Sequence, residues 1–255
     1  MKLWLFLVLC VSACIAQQDG LVWTELSSGA SANPAAGSGS GVSLGPGNRF
    51  GGALGYDNKT NSLILFGGRA ADGSFPNDTW IYDIRNGMWR EVPVAAGRTA
   101  PSGRIYSYYG VVDVNGTSLF VVSHGINANG AGAGEEDDTW AFDIAGSEWN
   151  VVTTPTGSPA GPGKRYGGHM GALYGPSTNE FWMGGGFTET TPLQTRYIDT
   201  YILQFTNTTS GWWREVWGQP STANQYNPLV PIGRCLQGSA VVNRDRLVLF
   251  GGCSR

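Results

Sequence analysis

The chain has 255 residues, of which 39 are Gly, 13 Pro and 10 Trp, and only 14% are charged. That composition is poor in helix formers and rich in turn residues and large strand formers, so it predicts an all-β protein. The formal charge of −3 becomes −4 once Lys2 leaves with the leader described next, which gives no basic surface for a nucleic acid or an anionic membrane.

Residues 1–16 (MKLWLFLVLCVSACIA) carry one Lys, an unbroken apolar run from Leu3 to Leu9 and small residues up to Ala16. This is the pattern of a secretory signal peptide, shorter than the roughly 20 apolar residues of a spanning helix. The mature chain is expected to begin near Gln17 and to be secreted, since no later stretch is long and apolar enough to form a membrane helix. Residues 11–14 (VSAC) resemble a bacterial lipobox, which would instead anchor a lipoprotein through Cys14. Against that stand four N-x-[ST] sequons, at Asn58, Asn77, Asn115 and Asn207, which act as glycosylation sites only in a eukaryotic secretory pathway.

Residues 23–26 (WTEL) read as a lone strand, and residues 27–47, rich in Gly, Ser, Ala and Pro, as a flexible loop. A period begins there. Each unit opens on P-x-x-R, at residues 46–49, 101–104, 162–165 and 231–234. A short apolar run closed by Gly follows: LILFGG from Leu63, LFVVSHG from Leu119, FWMGGG from Phe181 and LVLFGG from Leu247. Next comes a D-T-[WY] phrase (NDTWIYD, DDTWAFD, IDTYILQ) whose aspartates, Asp78, Asp138 and Asp199, are 60 and 61 residues apart. Last is a Trp-centred run, MWREV from Met88, EWNVV from Glu148 and WWREV from Trp212.

Apolar runs without alternation predict second strands buried on both faces, while TWIYD and WREV alternate as half-covered third and fourth strands do. The turns between strands one and two (DNKTN, DVNG, NRD) and between three and four (DIRNG, DIAGS) have hairpin chemistry. Each unit is therefore a four-stranded antiparallel meander that needs a neighbour on each face, and stacked meanders of this kind make a β-propeller.

These landmarks resemble the kelch-repeat β-propellers, whose units carry a double Gly after the second strand and spaced Tyr and Trp in the third and fourth. The resemblance covers residues 23–253. It implies a propeller of about 3.5 to 4 blades, because three units are complete and the last supplies two strands. A ring needs at least four whole blades, so the chain is expected to be cut short of a six- or seven-bladed parent. The family includes cytoskeletal adaptors, extracellular binding proteins and a few enzymes, so it implies fold more than function.

Several side chains stand out. The repeat Arg and repeat Asp fall at the same end of a blade, so Arg49 with Asp78, Arg104 with Asp138 and Arg165 with Asp199 are expected to form charge-assisted structural pairs. Cys235 follows the last P-x-x-R and Cys253 the last double Gly; with their hairpin turn centred midway, they are expected to face each other and form a disulfide. His124 and His169 lack a third ligand and read as structural. The acidic run at residues 134–138 (GEEDD) reads as a solvated loop, so no metal, cofactor or catalytic residue is expected. The galactose oxidase set of two His, a Tyr and a Cys-linked Tyr has no counterpart.

Connectivity separates two rims. The turns after strands one and three are tight, whereas the connections after strands two and four are long, and long loops on a rigid scaffold carry binding residues. The expected contacts are Arg69, Asp72, Phe75, Asn127, Asn129, Glu135, Glu136, Phe187, Glu189 and Arg196. Asn58, Asn115 and Asn207 fall on the tight-turn rim, where glycans would leave the other rim open. The predicted function is a secreted, non-catalytic scaffold for an extracellular protein or glycan, not for nucleic acid. The alternative is an extracellular enzyme of galactose-oxidase or sugar-epimerase type with key residues in further blades.

Overall fold

The structure, a computed structural model, describes residues 45–172, 179–190, 193–217, 235–242 and 246–253. The expected leader, Cys14, the strand expected at residues 23–26, most of the Gly/Ser-rich segment, Arg234 and the turn expected at residues 243–245 lie outside these.

The described residues are all-β, built of three four-stranded antiparallel meanders, three short two-stranded ribbons and a two-stranded hairpin of a fourth unit. The first blade contains β1 (Arg49–Phe50), β2 (Ala53–Asp57), β3 (Ser62–Phe66), β4 (Arg69–Ala70), β5 (Thr79–Asp83) and β6 (Met88–Val92), with β2-β3-β5-β6 as its sheet. The second contains β7 (Arg104–Ile105), β8 (Tyr108–Val114), β9 (Thr117–Ser123), β10 (Ile126–Asn127), β11 (Thr139–Asp143) and β12 (Glu148–Val151), with β8-β9-β11-β12 as its sheet. The third contains β13 (His169–Ala172), β14 (Glu180–Gly184), β15 (Phe187–Thr190), β16 (Leu193–Arg196), β17 (Thr200–Asn207) and β18 (Ser210–Trp217), with β13-β14-β17-β18 as its sheet. The last hairpin is β19 (Gly238–Val242) with β20 (Arg246–Phe250).

The inner strands β2, β8, β13 and β19 lie side by side in that order. The core sits between sheets: Phe66, Phe120, Val122 and Trp149 fill the space between blades one and two, and Val121, Phe181, Met183, Leu203 and Trp213 the next. Trp149 is the wedge of the first interface. Its ring contacts Phe66 at 5.0 Å and Phe142 at 5.2 Å between centroids, and its indole N–H donates to Thr79 Oγ1 at 2.9 Å. Burying such rings contributes about 2–3 kcal/mol each.

The second strands of blades one and two are buried on both faces, as their unbroken apolar runs require; the expectation does not extend to the later units, where β14 leaves Glu180 and Trp182 half-buried and β20, paired only with β19 among the described residues, leaves Val248 and Phe250 exposed. The third strands differ from the alternating pattern expected. Thr79, Trp80, Ile81 and Tyr82 are all buried, because Trp89 covers Tyr82 at 5.1 Å while Thr79 and Ile81 face blade two. The tight turns follow their residue chemistry: Asp57 accepts from the N–H groups of Lys59 and Thr60, and Asn115 takes a left-handed φ of 53° before Gly116.

Candidate functional site

The long-loop rim is organised by the repeated Arg. Arg49 Nη1 and Nη2 reach the two carboxylate oxygens of Asp78 at 2.6 and 2.9 Å, and Nη1 also donates to the Gly67 carbonyl at the end of β3. Arg104 repeats this on Asp138 at 2.5 and 3.2 Å, with the His124 carbonyl in place of Gly67. Arg165 holds Asp199 at 2.5 and 3.1 Å. The Trp of D-T-W completes the clasp, since Trp80 and Trp140 each donate Nε1–H to the aspartate two residues earlier at 2.7 Å. The third unit has Tyr201 there instead, and Tyr197 stacks on the Arg165 guanidinium at 3.8 Å. Arg49 and Arg104 therefore each tie the start of a first strand to the end of a second and the start of a third, while Arg165 ties its first strand to the start of the third.

This clasp positions the next two residues at the inner end of the rim. The residue two after the Arg is Gly51, Tyr106, Gly167 or Leu236, and all four have left-handed φ, between 54° and 67°. Their backbones link blade to blade: Tyr106 N–H donates to Gly51 O at 2.9 Å, Gly167 N–H to Tyr106 O at 2.9 Å, and Leu236 N–H to Gly167 O at 2.6 Å. A second link runs from Gly68 N–H to Arg104 O and from Gly125 N–H to Arg165 O. A side chain at Gly67 would bring its Cβ to 2.9 Å from the Arg104 carbonyl, so glycine is dictated there by this close approach, whereas blade two carries His124 at the equivalent position with φ 56°.

The outcome is an apolar mouth at the axial end of the rim. Phe50 and Leu236 are each 52% exposed, and Phe50 lies against Tyr106 at 6.5 Å. Beneath them Ile105, Ile126 and Tyr166 form a buried floor with Phe75 and Phe187 packed against it, Tyr166 and Phe187 only 4.1 Å apart. Tyr106 and Leu236 occupy positions that glycine fills in the other units. For a bulky L residue the left-handed conformation costs about 1–2 kcal/mol, yet Leu236 is exposed here and Tyr106 packs its ring against the floor.

The contact residues expected on this rim divide. Arg69, Asp72 and Asn129 are exposed. Phe75, Asn127, Glu136, Phe187, Glu189 and Arg196 are half-buried, and several are already engaged. Glu136 accepts from Asn127 at 2.7 Å and Ser102 at 2.9 Å, and Arg196 donates to the Cys253 carbonyl at 3.0 Å. Glu135 is a correction. It is 4% exposed, because its carboxylate crosses from blade two to blade three and accepts from Thr188 Oγ1 and, at 2.7 Å, from the Glu189 N–H. The connections after β3, β9 and β14 are also not plain loops: each begins with a short ribbon paired back to the residues after the Arg. Phe50, Tyr106 and Leu236 were absent from the expected contacts. The signal for Tyr106 and Leu236 is their fixed offset, two residues after the Arg of P-x-x-R, where the other two units write glycine; Phe50, one residue after the Arg, carries no such signal.

Both histidines have packing roles. His124 Nε2 donates to the Pro162 carbonyl at 3.1 Å, which leaves Nδ1 to accept from Ser123 Oγ at 2.7 Å. Burial lowers its pKa to about 4. His169 Nδ1 receives Gln237 Nε2–H at 2.8 Å, and burial together with the Arg165 charge lowers its pKa to about 4 as well. Burial opposes ionisation of Asp138, but the Arg104 fork and the Trp140 indole outweigh it and hold the carboxyl below the usual carboxylate value. Among the described residues no three His, Cys, Asp or Glu side chains are grouped to hold a metal, and no helix is long and apolar enough to cross a membrane.

Cys235 and Cys253 face each other across the strands as expected, with backbone N–H to carbonyl distances of 3.1 and 2.9 Å, but the structure holds them as thiols. Asn58, Asn77, Asn115 and Asn207 are all exposed.

The family profile described as the KLHDC2/KLHL20/DRC7 Kelch-repeats domain matches residues 21–252. A curated relative, acyl-CoA-binding domain-containing protein 5 of Arabidopsis thaliana, is 25% identical over 191 residues. That alignment covers 75% of this chain and 25% of the plant protein, so the chain spans about a quarter of the length of the relative it matches.

Proposed function

The chain belongs to the kelch-repeat family, whose propellers serve in general as non-catalytic protein-interaction scaffolds, and on that premise we propose that it binds an extracellular protein through the apolar mouth of its long-loop rim. One observation carries the reading: Tyr106 and Leu236 stand in left-handed backbone, where glycine would serve the fold, and of the two Leu236 presents its apolar side chain to solvent while Tyr106 lies half-buried between Phe50 and the apolar floor. Strain of this kind clusters at functional sites. A protein fits better than a glycan, because the polar groups round the mouth are largely engaged with one another and an apolar anchor is what a protein hot spot supplies. Secretion follows from the leader, and glycans on Asn58, Asn115 and Asn207 would leave the mouth uncovered. The carbohydrate-enzyme alternative gains no support from His124 and His169, which face the interior.

The experiment is capture from a library of extracellular domains by the secreted chain, repeated with two sets of variants. A Phe50→Ser/Leu236→Gly variant is expected to lose the captured partner at least tenfold, and variants of the tight turns at Lys59 and Asn115 to keep it. Loss through the tight-turn variants alone would reverse the assignment of faces.

A further inference from the structure

The mouth of each blade is closed by one cross-strand pair, between the residue after the repeat Arg and the residue after the double Gly. In chain order these are Phe50 with Arg69, Ile105 with Ile126, Tyr166 with Phe187, and Cys235 with Cys253. The backbone geometry recurs: Tyr166 and Phe187 exchange both N–H to carbonyl bonds at 3.0 Å, and the two cysteines do so at 3.1 and 2.9 Å. In blades two and three the side chains of the pair are large apolar groups that hold the ribbon by packing, in the buried floor of the mouth. In the fourth unit that packing is replaced by two thiols, too small to do the same.

We propose that Cys235 and Cys253 are a redox clasp, whose disulfide does for the fourth ribbon what apolar packing does for the second and third, and thereby fixes Leu236 at the mouth. A directly opposed, hydrogen-bonded antiparallel pair has its Cα atoms about 5.5 Å apart, inside the roughly 4.4–6.8 Å range of disulfides. The site reaches both sides of the mouth. Leu236 follows Cys235 and bonds through its N–H to Gly167 O, while the Cys253 carbonyl holds Arg196 of the β15–β16 hairpin at 3.0 Å.

The two thiols differ in role. Cys253 is exposed and Cys235 buried. Burial and the neighbouring Cys253 push the Cys235 thiol up to about 11, and Cys253 is the sulfur open to solvent, so Cys253 meets the oxidant first. With glutathione disulfide as oxidant, the Cys253 thiolate attacks one glutathione sulfur, and the other glutathione leaves as a thiolate with the electron pair. Cys235 then gives its proton to water and attacks Cys253 Sγ, expelling the second glutathione thiolate. Two protein thiols are oxidised by two electrons, and one glutathione disulfide is reduced to two thiols.

The functional consequence rests on the mouth reading above; the clasp itself does not. The test titrates the full secreted chain with glutathione and glutathione disulfide, following the Cys235–Cys253 peptide by non-reducing mass spectrometry and the Leu236 amide by hydrogen exchange. The expected result is a two-electron transition to an internal disulfide, with Leu236 exchange at least tenfold slower in the oxidised form. Cys253→Ser is expected to abolish both changes. A Cys235→Ile/Cys253→Ile variant, copying the second ribbon, should keep Leu236 protected whatever the redox state, which separates clasping from misfolding. A stable glutathione adduct on Cys253 without ring closure, or a disulfide that leaves Leu236 exchange unchanged, would overturn the proposal. Protection of Leu236 with no effect on partner capture would leave the clasp standing and count against the mouth as the binding face.

Discussion

Arg165 shows what one residue per repeat does for this fold. Its guanidinium is almost wholly buried, forked onto Asp199 and covered by Tyr197, so its charge is neutralised locally by a carboxylate that is itself buried. Removing one member of such a pair strands the other charge. Arg165→Ala is expected to lower the free energy of urea unfolding by about 3–5 kcal/mol, and Asp199→Asn by less, because the amide can still accept from the guanidinium. The histidines give a second residue-scale prediction. A group whose folded pKa lies below its unfolded value of 6.5 contributes its full stability above that value and loses it as pH falls toward the folded pKa. His124 and His169, both near 4, should therefore cost the fold stability between pH 6.5 and 4, on the order of 3 kcal/mol each. His124→Asn, which tolerates the φ of 56° at this position, is expected to flatten part of that decline in thermal melts recorded across the window. The P-x-x-R and D-T-[WY] phrases were legible because a clasp repeated in every unit leaves the same letters in every unit. Glu135 was not, since its partners Thr188 and Glu189 are 53 and 54 residues away and, among the described residues, no other unit repeats the contact.

At the scale of elements, the meanders were legible because apolar runs, hairpin turns and a sixty-residue period all specify the same four strands. The mouth ribbons were not, because elements of two residues have no periodicity to read and the segments containing them have loop composition. Their effect is to carry one backbone hydrogen bond per blade through left-handed residues, and this makes the strain at Leu236 measurable. Replacing it with glycine removes about 1–2 kcal/mol of left-handed strain and adds about 0.4–1 kcal/mol of unfolded-chain entropy, while little packing is lost from a half-exposed side chain. Leu236→Gly is thus expected to leave stability unchanged or raise it by up to about 1 kcal/mol in urea titrations. A loss above that size would mean that Leu236 belongs to the core of the fourth unit.

On the scale of the whole molecule, stability depends on sheets that meet face to face without covalent links, so the interfaces should respond to single atoms. A Cβ at Gly55 on the inner strand of blade one would come within 2.8 Å of the Phe120 ring and 3.0 Å of Val111 on blade two. Gly55→Val should therefore force the first two blades apart and cost about 1–3 kcal/mol, with hydrogen exchange rising first in β2 and β8. The family and the blade architecture follow from features that recur; the proposed binding face rests on a departure from recurrence, where two units place Tyr106 and Leu236 at a glycine position. The most direct measurement is a paired one on the Leu236→Gly variant, recording urea unfolding and capture of the proposed partner on the same preparation. The account expects unfolding within about 1 kcal/mol of the parent and capture reduced at least tenfold; a variant that loses stability while keeping its partner would contradict it.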